Sequence, residues 1–302
     1  MDQAGEMAVF VRVVEAGSFS AAAKALRQTP SAVSKQIGRL EDRLGVRLLN
    51  RTTRRISLTD VGSGFHERAK RILADIEEAE LAATSERASP RGTLRVNAAN
   101  SFGIRFIAPL IPAFLERYPD VDCDLYLTDR VADIVEEGID VAIRIAALAD
   151  SSMIARKLAP NHRVIAAAPA YLERVGMPRT PDDLKNHNAL RFSFNSTLNN
   201  WDFVQADGSI RRVEIAGNLE GNNSEALLAA AIEGVGLVRL AKFVMARELR
   251  EGRLISVLDD WIAPEPTSIY AVYQPGRHLS PKVRAFVDFL IEHFHPTPPW
   301  ER

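Results

Sequence analysis

The sequence predicts an α/β protein that is preceded by a small helical unit of the all-α type and a long connecting helix. Within the first 60 residues, apolar side chains recur at helical spacing and positive charge is concentrated. Residues 60–87 continue as one amphipathic helix, and after Gly92 short apolar strands alternate with helices. Such alternation is typical of an α/β fold with a largely parallel sheet, and a length of 302 residues favours about two domains.

Three short helices and a hairpin are predicted before residue 60. Gly17 ends the first helix, and Ser18 can cap the second. Thr29-Pro30 supplies a capping hydroxyl followed by a proline at the first helical position, which is a strong start signal. Gly45 ends the third helix. The inner faces follow the i, i+3, i+4, i+7 rule, and their members are Met7, Phe10, Val11, Val14, Phe19, Ala22, Ala23, Leu26, Val33, Ile37, Leu40 and Leu44.

A fourth, longer helix is predicted from Asp60 to about Arg87, with Thr59 as its cap. Its apolar positions form a seam like that of a coiled coil, made of Phe65, Ile72, Ile76, Ala79 and Ala83. At about 1.5 Å per residue such a helix is roughly 40 Å long. A single amphipathic helix of this length needs a partner, and a second copy of the chain is the simplest one.

Residues 88–92 read as a linker, and the pattern changes after them. The predicted strands are Thr93–Ala99, Val121–Thr128, Asp140–Ile145, Arg163–Ala168, Ala189–Phe194, Val213–Leu219, Leu237–Leu240 and Thr267–Tyr273. The predicted helices are Gly103–Arg117, Val131–Glu137, Ser224–Glu233 and Pro281–Phe294.

Charge is distributed unevenly along the chain. Residues 18–59 hold nine Lys or Arg and two acids, a balance of +7, whereas the whole chain carries −1. A basic module on an acidic body is typical of a nucleic-acid binder. The alternative is a small helical unit whose charges are merely solvated.

Two helices joined by a short turn make a helix-turn-helix, whose second helix reads the major groove. That helix begins at Thr29, and its outward positions are Ser31, Ser34, Lys35 and Arg39. Serine can bond base edges or phosphate, and the basic side chains reach guanine or phosphate. The basic hairpin tip at residues 51–55 would lie against the DNA backbone or the minor groove.

Residues 10–62 resemble the N-terminal domain of LysR-type transcriptional regulators. The resemblance is carried by AGSFSAAAKAL (16–26), SAVSKQIGRLEDRLGVRLLNRTTR (31–54) and LTDVG (58–62). The rest of the chain fits the same family, which implies a winged helix-turn-helix at 1–59, a dimerising linker helix at 60–91 and an effector domain at 92–302. The effector domain is expected to have two lobes, like periplasmic solute-binding proteins. Lobe I is then about 92–160 with 267–302, and lobe II is about 161–266.

The resemblance also implies residue roles. The DNA-reading positions of the family match Thr29, Ser31, Ser34, Lys35 and Arg39, and its wing matches Arg51, Thr53 and Arg54. Pro30 stands where the family often has Gln, so a base contact by a Gln side chain is lost there. This departure is expected to change operator preference rather than function.

The effector is expected to bind between the lobes. Residues 97–103 join a strand to a helix and residues 221–224 precede another helix, and helix N-termini present free N–H groups. The predicted contacts are Asn100, Ser101, Thr128, Ser193, Asn222 and Asn223. Asn and Ser before helices are also common caps, which is the competing interpretation. Because helix N-termini favour anions, a small carboxylate-bearing metabolite is the predicted effector. Arg144 and Arg239 could neutralise it or form structural ion pairs.

Enzyme, metal and membrane functions find little support. GxSxG, Walker and HExxH motifs are absent, His293 and His295 read as solvated rather than metal-binding, and the lone Cys123 lies between two acids, unsuited to a thiolate. No catalytic site, metal or cofactor other than the effector is predicted. Without a signal peptide or apolar span, the expected location is the cytoplasm.

Two hypotheses remain. The first is a ligand-responsive regulator that binds double-stranded DNA and itself as a dimer or tetramer, and RNA polymerase if it is an activator. The second is a solute-binding protein or an enzyme with a basic N-terminal extension.

Overall fold

The computed structural model describes residues 2–51, 56–84, 89–130, 134, 137–146, 153–193, 196–264, 267–275 and 280–302. Contacts divide the chain into two compact units, Met1–Ser89 and Pro90–Arg302.

The first unit has three short helices, a two-stranded hairpin and a long helix. In chain order these elements are α1 (Gln3–Ala16), α2 (Phe19–Ala25), α3 (Pro30–Leu44), β1 (Leu49–Arg51), β2 (Ile56–Leu58) and α4 (Asp60–Thr84). The predicted boundaries are confirmed by the caps. Ser18 accepts from the Ala21 amide at 3.1 Å and Thr29 from the Ala32 amide at 3.2 Å. Gly17 and Gly45 adopt the left-handed conformation that ends a helix.

The core of this unit gathers one face from each helix. Val33, Ile37 and Leu40 of α3 are fully buried, as the helical spacing predicts. The antiparallel hairpin β1–β2 packs beside them through Leu48 and Leu49. α4 begins with a close approach, since a Cβ on Gly62 would stand 2.0 Å from the Leu48 carbonyl oxygen. This explains the glycine in LTDVG.

The predicted seam of α4 is wrong at its first member. The Phe65 ring packs 5.4 Å from the Phe10 ring of α1 and belongs to the core of this unit. Ile72 and Ile76 are instead exposed, by 42% and 37%. The side chains of Ala79 and Ala83 lie outside the described residues. The first turns of α4 thus pack against the core of the first unit, and the exposed side chains of Ile72 and Ile76 lie farther along the helix.

The second unit is built from twelve strands and six α-helices within the described residues. The strands are β3 (Gly92–Ala98), β4 (Val121–Leu127), β5 (Val141–Ala146), β6 (Ile154–Pro160), β7 (Arg163–Ala167), β8 (Arg191–Phe192), β9 (Trp201–Val204), β10 (Ile210–Val213), β11 (Glu220–Gly221), β12 (Val238–Ala241), β13 (Ile255–Val257) and β14 (Ser268–Tyr273). The helices are α5 (Asn100–Phe102), α6 (Ile111–Arg117), α7 (Pro169–Val175), α8 (Ser224–Ile232), α9 (Lys242–Arg250) and α10 (Pro281–Phe294). A π-helical turn, Gly103–Ile107, and a 3-10 turn, Ala108–Leu110, make α5 to α6 one continuous helical segment.

Two main sheets organise this unit. Five strands lie in the order β4-β3-β5-β14-β6, with β3, β4 and β5 parallel and β14 antiparallel to both of its neighbours. A second sheet has the order β12-β7-β13 and is antiparallel. The strands of the first sheet come from 92–160 and 268–273, and those of the second from 163–257. One apolar cluster joins the two sheets and their helices. It includes Val96 of β3 and Phe286 of α10, and also Val238 of β12 and Phe243 of α9.

Several sequence predictions need correction. Val213–Leu219 is not a strand: β10 ends at Val213, and residues 214–219 run irregularly beside Ala189, where Gly217 leaves no room for a Cβ. The predicted strand 189–194 shrinks to β8. β6, α7, α9 and the β9–β10 hairpin were not predicted. Of the predicted helix 131–137, only residues 134 and 137 are described, and both lie in turns.

Among the described residues, no helix is long and apolar enough to cross a membrane.

Candidate functional sites

The predicted reading helix, α3, has one apolar and one polar face. Opposite its buried residues, Ser31, Lys35 and Arg39 are exposed and follow one another at four-residue spacing. At about 1.5 Å per residue this strip is roughly 12 Å long. Ser34 is half-buried beside it. The strip is polar, basic and free of large apolar side chains, which suits binding in a groove of DNA.

Thr29 and Pro30 begin this helix and are both exposed. The Thr29 hydroxyl already accepts from the Ala32 amide and lies 3.1 Å from the Ser31 hydroxyl. The Thr29 hydroxyl therefore caps the helix, and the Ser31 hydroxyl is the more available of the two for contacts outside the protein.

The wing is tied to α3 by a carboxylate. Oε1 of Glu41 accepts the backbone N–H groups of Leu48 at 2.8 Å and Leu49 at 3.1 Å, where β1 begins. Arg51 lies in β1, and Thr53 and Arg54 fall outside the described residues. Sequence analysis counted Glu41 only as a charge and missed this anchor.

One of the nine basic residues, Arg43, is paired with an acid of the same unit. Arg43 donates from Nε and one Nη to Oε2 of Glu6 on α1, at 3.1 and 2.9 Å. This pair joins α3 to α1, so its charge is used inside the unit rather than offered to a polyanion.

In the second unit, three polar side chains meet where β3 and β4 end and α8 begins. The Asp129 carboxylate accepts the Asn100 backbone N–H at 3.0 Å and the Asn100 amide at 2.8 Å. The Asn223 amide reaches the same carboxylate at 3.4 Å. Asn223 also caps α8, with its Oδ1 accepting from the Glu225 and Ala226 amides. Two predicted contacts, Asn100 and Asn223, are thus brought together by a residue that was not predicted.

The other four predicted effector contacts do not share a hydrogen-bond partner with Asn100 and Asn223 among the described contacts. Ser101 is buried, at 5% exposure, and Thr128 is half-buried and accepts from the Arg130 amide. Asn222 and Ser193 are exposed, and the Ser193 amide donates to Gly221. Ser193 therefore neighbours the loop before α8.

A bidentate ion pair lies beside this cluster. Arg105, in the π-helical turn, donates to both oxygens of Glu225 in the first turn of α8, at 2.8 and 2.7 Å. The bonds to Glu225 raise the pKa of Arg105 above its ordinary value against the opposing effect of burial, and Glu248 adds to the increase. Both side chains are partly exposed, so the pair stays accessible to solutes.

Arg144 and Arg239 have protein partners. Arg144 donates to Oδ1 of Asn97 at 2.6 Å, and burial lowers the pKa of Arg144. Arg239 is buried and donates to the Asn200 carbonyl at 3.2 Å. These contacts favour structural roles.

Sequence reasoning missed Asp129, Arg105 and Glu225. The available signal was weak: Asp129 follows the predicted end of a strand, and an acid in the first turn of a helix is common. In the part of the chain that the structure describes, no group of three His, Cys, Asp or Glu could hold a metal ion.

Comparison with known proteins places both units in one family. Residues 5–63 match the model for the bacterial regulatory helix-turn-helix protein of the lysR family, and residues 87–295 match the LysR substrate binding domain.

Full-length relatives agree. An HTH-type transcriptional regulator of Xanthomonas campestris pv. campestris is 42% identical over 94% of this chain and 83% of its own length. The solved structure of CrgA, a LysR-type transcriptional regulator from Neisseria meningitidis, is 36% identical, covers 95% of this chain and 97% of its own, and gives a TM-score of 0.63. The virulence activator AphB of Vibrio cholerae, of the LTTR family, is 29% identical over 96% and 99%, with a TM-score of 0.61.

The chain has a helix-turn-helix unit matched over residues 5–63 and a second unit matched over residues 87–295 by models of one family, and its full-length relatives are regulators of that family. The chain therefore belongs to the LysR family of transcriptional regulators.

Proposed function

We propose that this regulator reads DNA through the N-terminal half of α3 and its wing. The supporting observation is the exposed strip of Ser31, Lys35 and Arg39 above a fully buried apolar face. Ser34 adds a fourth contact at the edge of the strip. We assign phosphate or minor-groove contacts to Arg51, Thr53 and Arg54 of the wing, and positioning of the helix start to Thr29 and Pro30.

A gel-shift or anisotropy titration with operator and random DNA tests these roles. Ser34→Ala and Arg39→Ala should each weaken operator binding by about 1–3 kcal/mol and random DNA much less, because base contacts carry the sequence information. Arg12→Ala, which removes an exposed charge from α1, is the control. Equal losses on both DNAs would reassign the residue to phosphate, and absence of DNA binding at low salt would refute the proposed function.

Arg54→Ala has a different expected signature. A phosphate contact weakens all sequences alike and lowers the slope of log K against log salt by about 0.9. A salt slope unchanged from the unmodified chain would exclude this role for Arg54.

We propose a homodimer formed through the exposed part of α4, with a tetramer as the full assembly. Ile72 and Ile76 lie four residues apart and expose apolar surface beyond the core of the first unit, as a helix that pairs with a second copy would. Light scattering should give at least a dimer, and Ile72→Glu with Ile76→Glu should dissociate it. A monomeric unmodified chain would contradict the proposal. RNA polymerase is a further partner if the protein activates transcription.

We propose that the effector binds between lobe I (92–160 with 267–302) and lobe II (161–266). We assign the effector contacts to Asn100, Ser101, Thr128, Ser193, Asn222 and Asn223, and the supporting observation is that Asn100 and Asn223 meet at Asp129. Asp129 refines the predicted ligand class, since its carboxylate already takes the N–H groups that an anion would use. A small molecule with a carboxylate and also a hydroxyl or amino donor, the donor facing Asp129, satisfies both features.

Thermal-shift screening of hydroxy acids, amino acids and simple carboxylates against the full chain tests this class. A ligand at 100 times its Kd stabilises by about 2.7 kcal/mol. Asp129→Asn should abolish the preference for donor-bearing ligands over simple carboxylates. If Asp129→Asn leaves a hit unchanged, its binding site lies elsewhere.

A further inference from the structure

The segment after α10, residues 296–302, carries a buried tryptophan. Trp300 is 5% exposed and stands in a short 3-10 turn, Pro299–Glu301. Its ring centroid lies 4.7 Å from that of Phe106 and 5.8 Å from that of Phe102, both in the helical segment after β3. It also lies 5.7 Å from Phe243, at the start of α9.

These neighbours come from both lobes. The helical segment after β3 and α10 belong to lobe I, whereas α9 belongs to lobe II. Phe102 and Phe243 also contact each other directly, with centroids 5.2 Å apart and rings nearly perpendicular. Trp300 therefore covers a joint where the lobes already touch, and it enlarges the apolar surface buried there.

Polar contacts hold the segment on lobe II. Lys242, the first residue of α9, pairs with Glu301 at 2.5 Å. Arg302 closes the segment on itself, since its Nε donates to the Thr297 carbonyl at 3.0 Å, and its Nη2 reaches the His293 carbonyl of α10 at 3.5 Å. One short stretch that continues from α10 is thus bonded at its end to α9 through Glu301 and back to α10 through Arg302.

This stretch lies outside the residues that the substrate-binding model matches, which end at residue 295. Large aromatic side chains bury more surface than any other residue type and prefer edge-to-face contacts such as these. Proline at four of the preceding positions, 281, 296, 298 and 299, restricts the backbone on either side of the joint.

We propose that residues 296–302 form a strap that fixes the angle between the two lobes, with Trp300 as its anchor. This inference rests on the proposed division into lobes with the effector between them. An effector that changes the angle between the lobes must then alter the packing of Trp300, which makes the strap a determinant of how readily the domain responds.

Hydrogen–deuterium exchange on the full chain tests the strap. Trp300→Ala, and a stop after His295, should each speed exchange by at least about tenfold in two segments, 100–110 and 242–250. Trp300→Phe should recover most of the protection. Glu301→Gln should give a smaller increase, about two- to fivefold, at 242–250, and it supplies a mild variant if the larger truncations fail to fold.

Trp201→Ala is the matched control. Trp201 is also buried, at 1% exposure, but belongs to an apolar cluster formed by lobe II alone. Its removal should speed exchange at 201–204 and 210–213 without affecting 100–110.

Three results would overturn the proposal: no change, an increase in one lobe only, or an equal increase throughout the domain, including β7 and β13. Operator binding, measured in parallel, should be retained in the Trp300 variants, because the DNA-binding unit is compact in itself. A chain that binds no DNA but shows the expected exchange would refute the proposed function and leave the strap standing.

Discussion

Glu41 offers a sharp test of how the reading helix and the wing are joined. Its carboxylate accepts the amides of Leu48 and Leu49, whose side chains are buried at 0% and 1% exposure. Hydrogen bonds to a charged group contribute about 1.5–3 kcal/mol each, and neutral ones about 0.5–1.5. Because Glu41 is partly exposed, we expect Glu41→Ala to cost about 2–4 kcal/mol of local stability and Glu41→Gln about 1–2.

The readout must be local to the first unit. All three tryptophans and all five tyrosines lie after residue 90, so their fluorescence does not report on the wing. Hydrogen exchange of the Leu48 and Leu49 backbone amides does report on the wing. At 1.4 kcal/mol per factor of ten, Glu41→Gln should speed it by roughly five- to thirtyfold, and Glu41→Ala by more.

DNA-binding assays distinguish the anchoring role of Glu41 from the effect of its negative charge. Asp42→Asn removes one negative charge from the next position of α3, where the side chain is exposed, and should tighten DNA binding slightly. Glu41→Gln makes the same charge change but loosens the wing, so it should weaken binding. If Glu41→Gln and Asp42→Asn behave alike in both assays, or if Glu41→Ala changes exchange by less than about threefold, the anchoring argument is wrong.

Three further predictions concern the second unit. Arg105 and Glu225 should couple by about 1–2 kcal/mol in a double-mutant cycle followed by urea unfolding, above the range of exposed pairs because the geometry is bidentate and both side chains are partly buried. Arg117 and Glu292, a more exposed pair joined through one Nη at 2.7 Å, are the control, and equal coupling energies would contradict the prediction. Burial lowers the pKa of His187 below its ordinary value of 6.5, with Asp183 opposing. The unfolded chain then takes up the proton first, so stability should fall as the pH is lowered below 6.5, and a His187→Gln variant with the same pH dependence would exclude His187 as the cause. Burial, aided by Asp124, raises the pKa of the Cys123 thiol to about 11. Iodoacetamide should therefore label Cys123 slowly at pH 8 and rapidly only in denaturant. Fast labelling of the folded chain would show that the pKa of this thiol is not raised.

Local features of the fold were readable from sequence because their causes are local. A cap needs one hydroxyl three residues from one amide, and proline is favoured at the first helical position. Ser18, Thr29-Pro30 and Gly45 therefore mark α2 and α3 correctly. The buried face of α3 follows from spacing alone. The alternation after Gly92 likewise predicted the α/β class and the three parallel strands β3, β4 and β5.

Strands and helices with weak patterns were missed. β6 exposes Arg156 and Lys157 at the edge of its sheet, so its sequence lacks the apolar run of a buried strand. The stretch 213–219 alternates like a strand, yet Gly217 is pressed against the backbone of Ala189. A pattern of side chains does not report how closely two backbones must approach.

By itself, the sequence determined the family, the bounds of α3 and the surplus of positive charge, since each depends on residues near one another in the chain. Tertiary structure decided which of those residues are free to act. It turned Arg43 toward Glu6, drew Phe65 into the first core, and gave the amides of Asn100 to Asp129. It also carried Trp300 onto residues almost 200 positions away in the chain. Contacts between distant residues depend on where the backbone places them, and no local spacing encodes that.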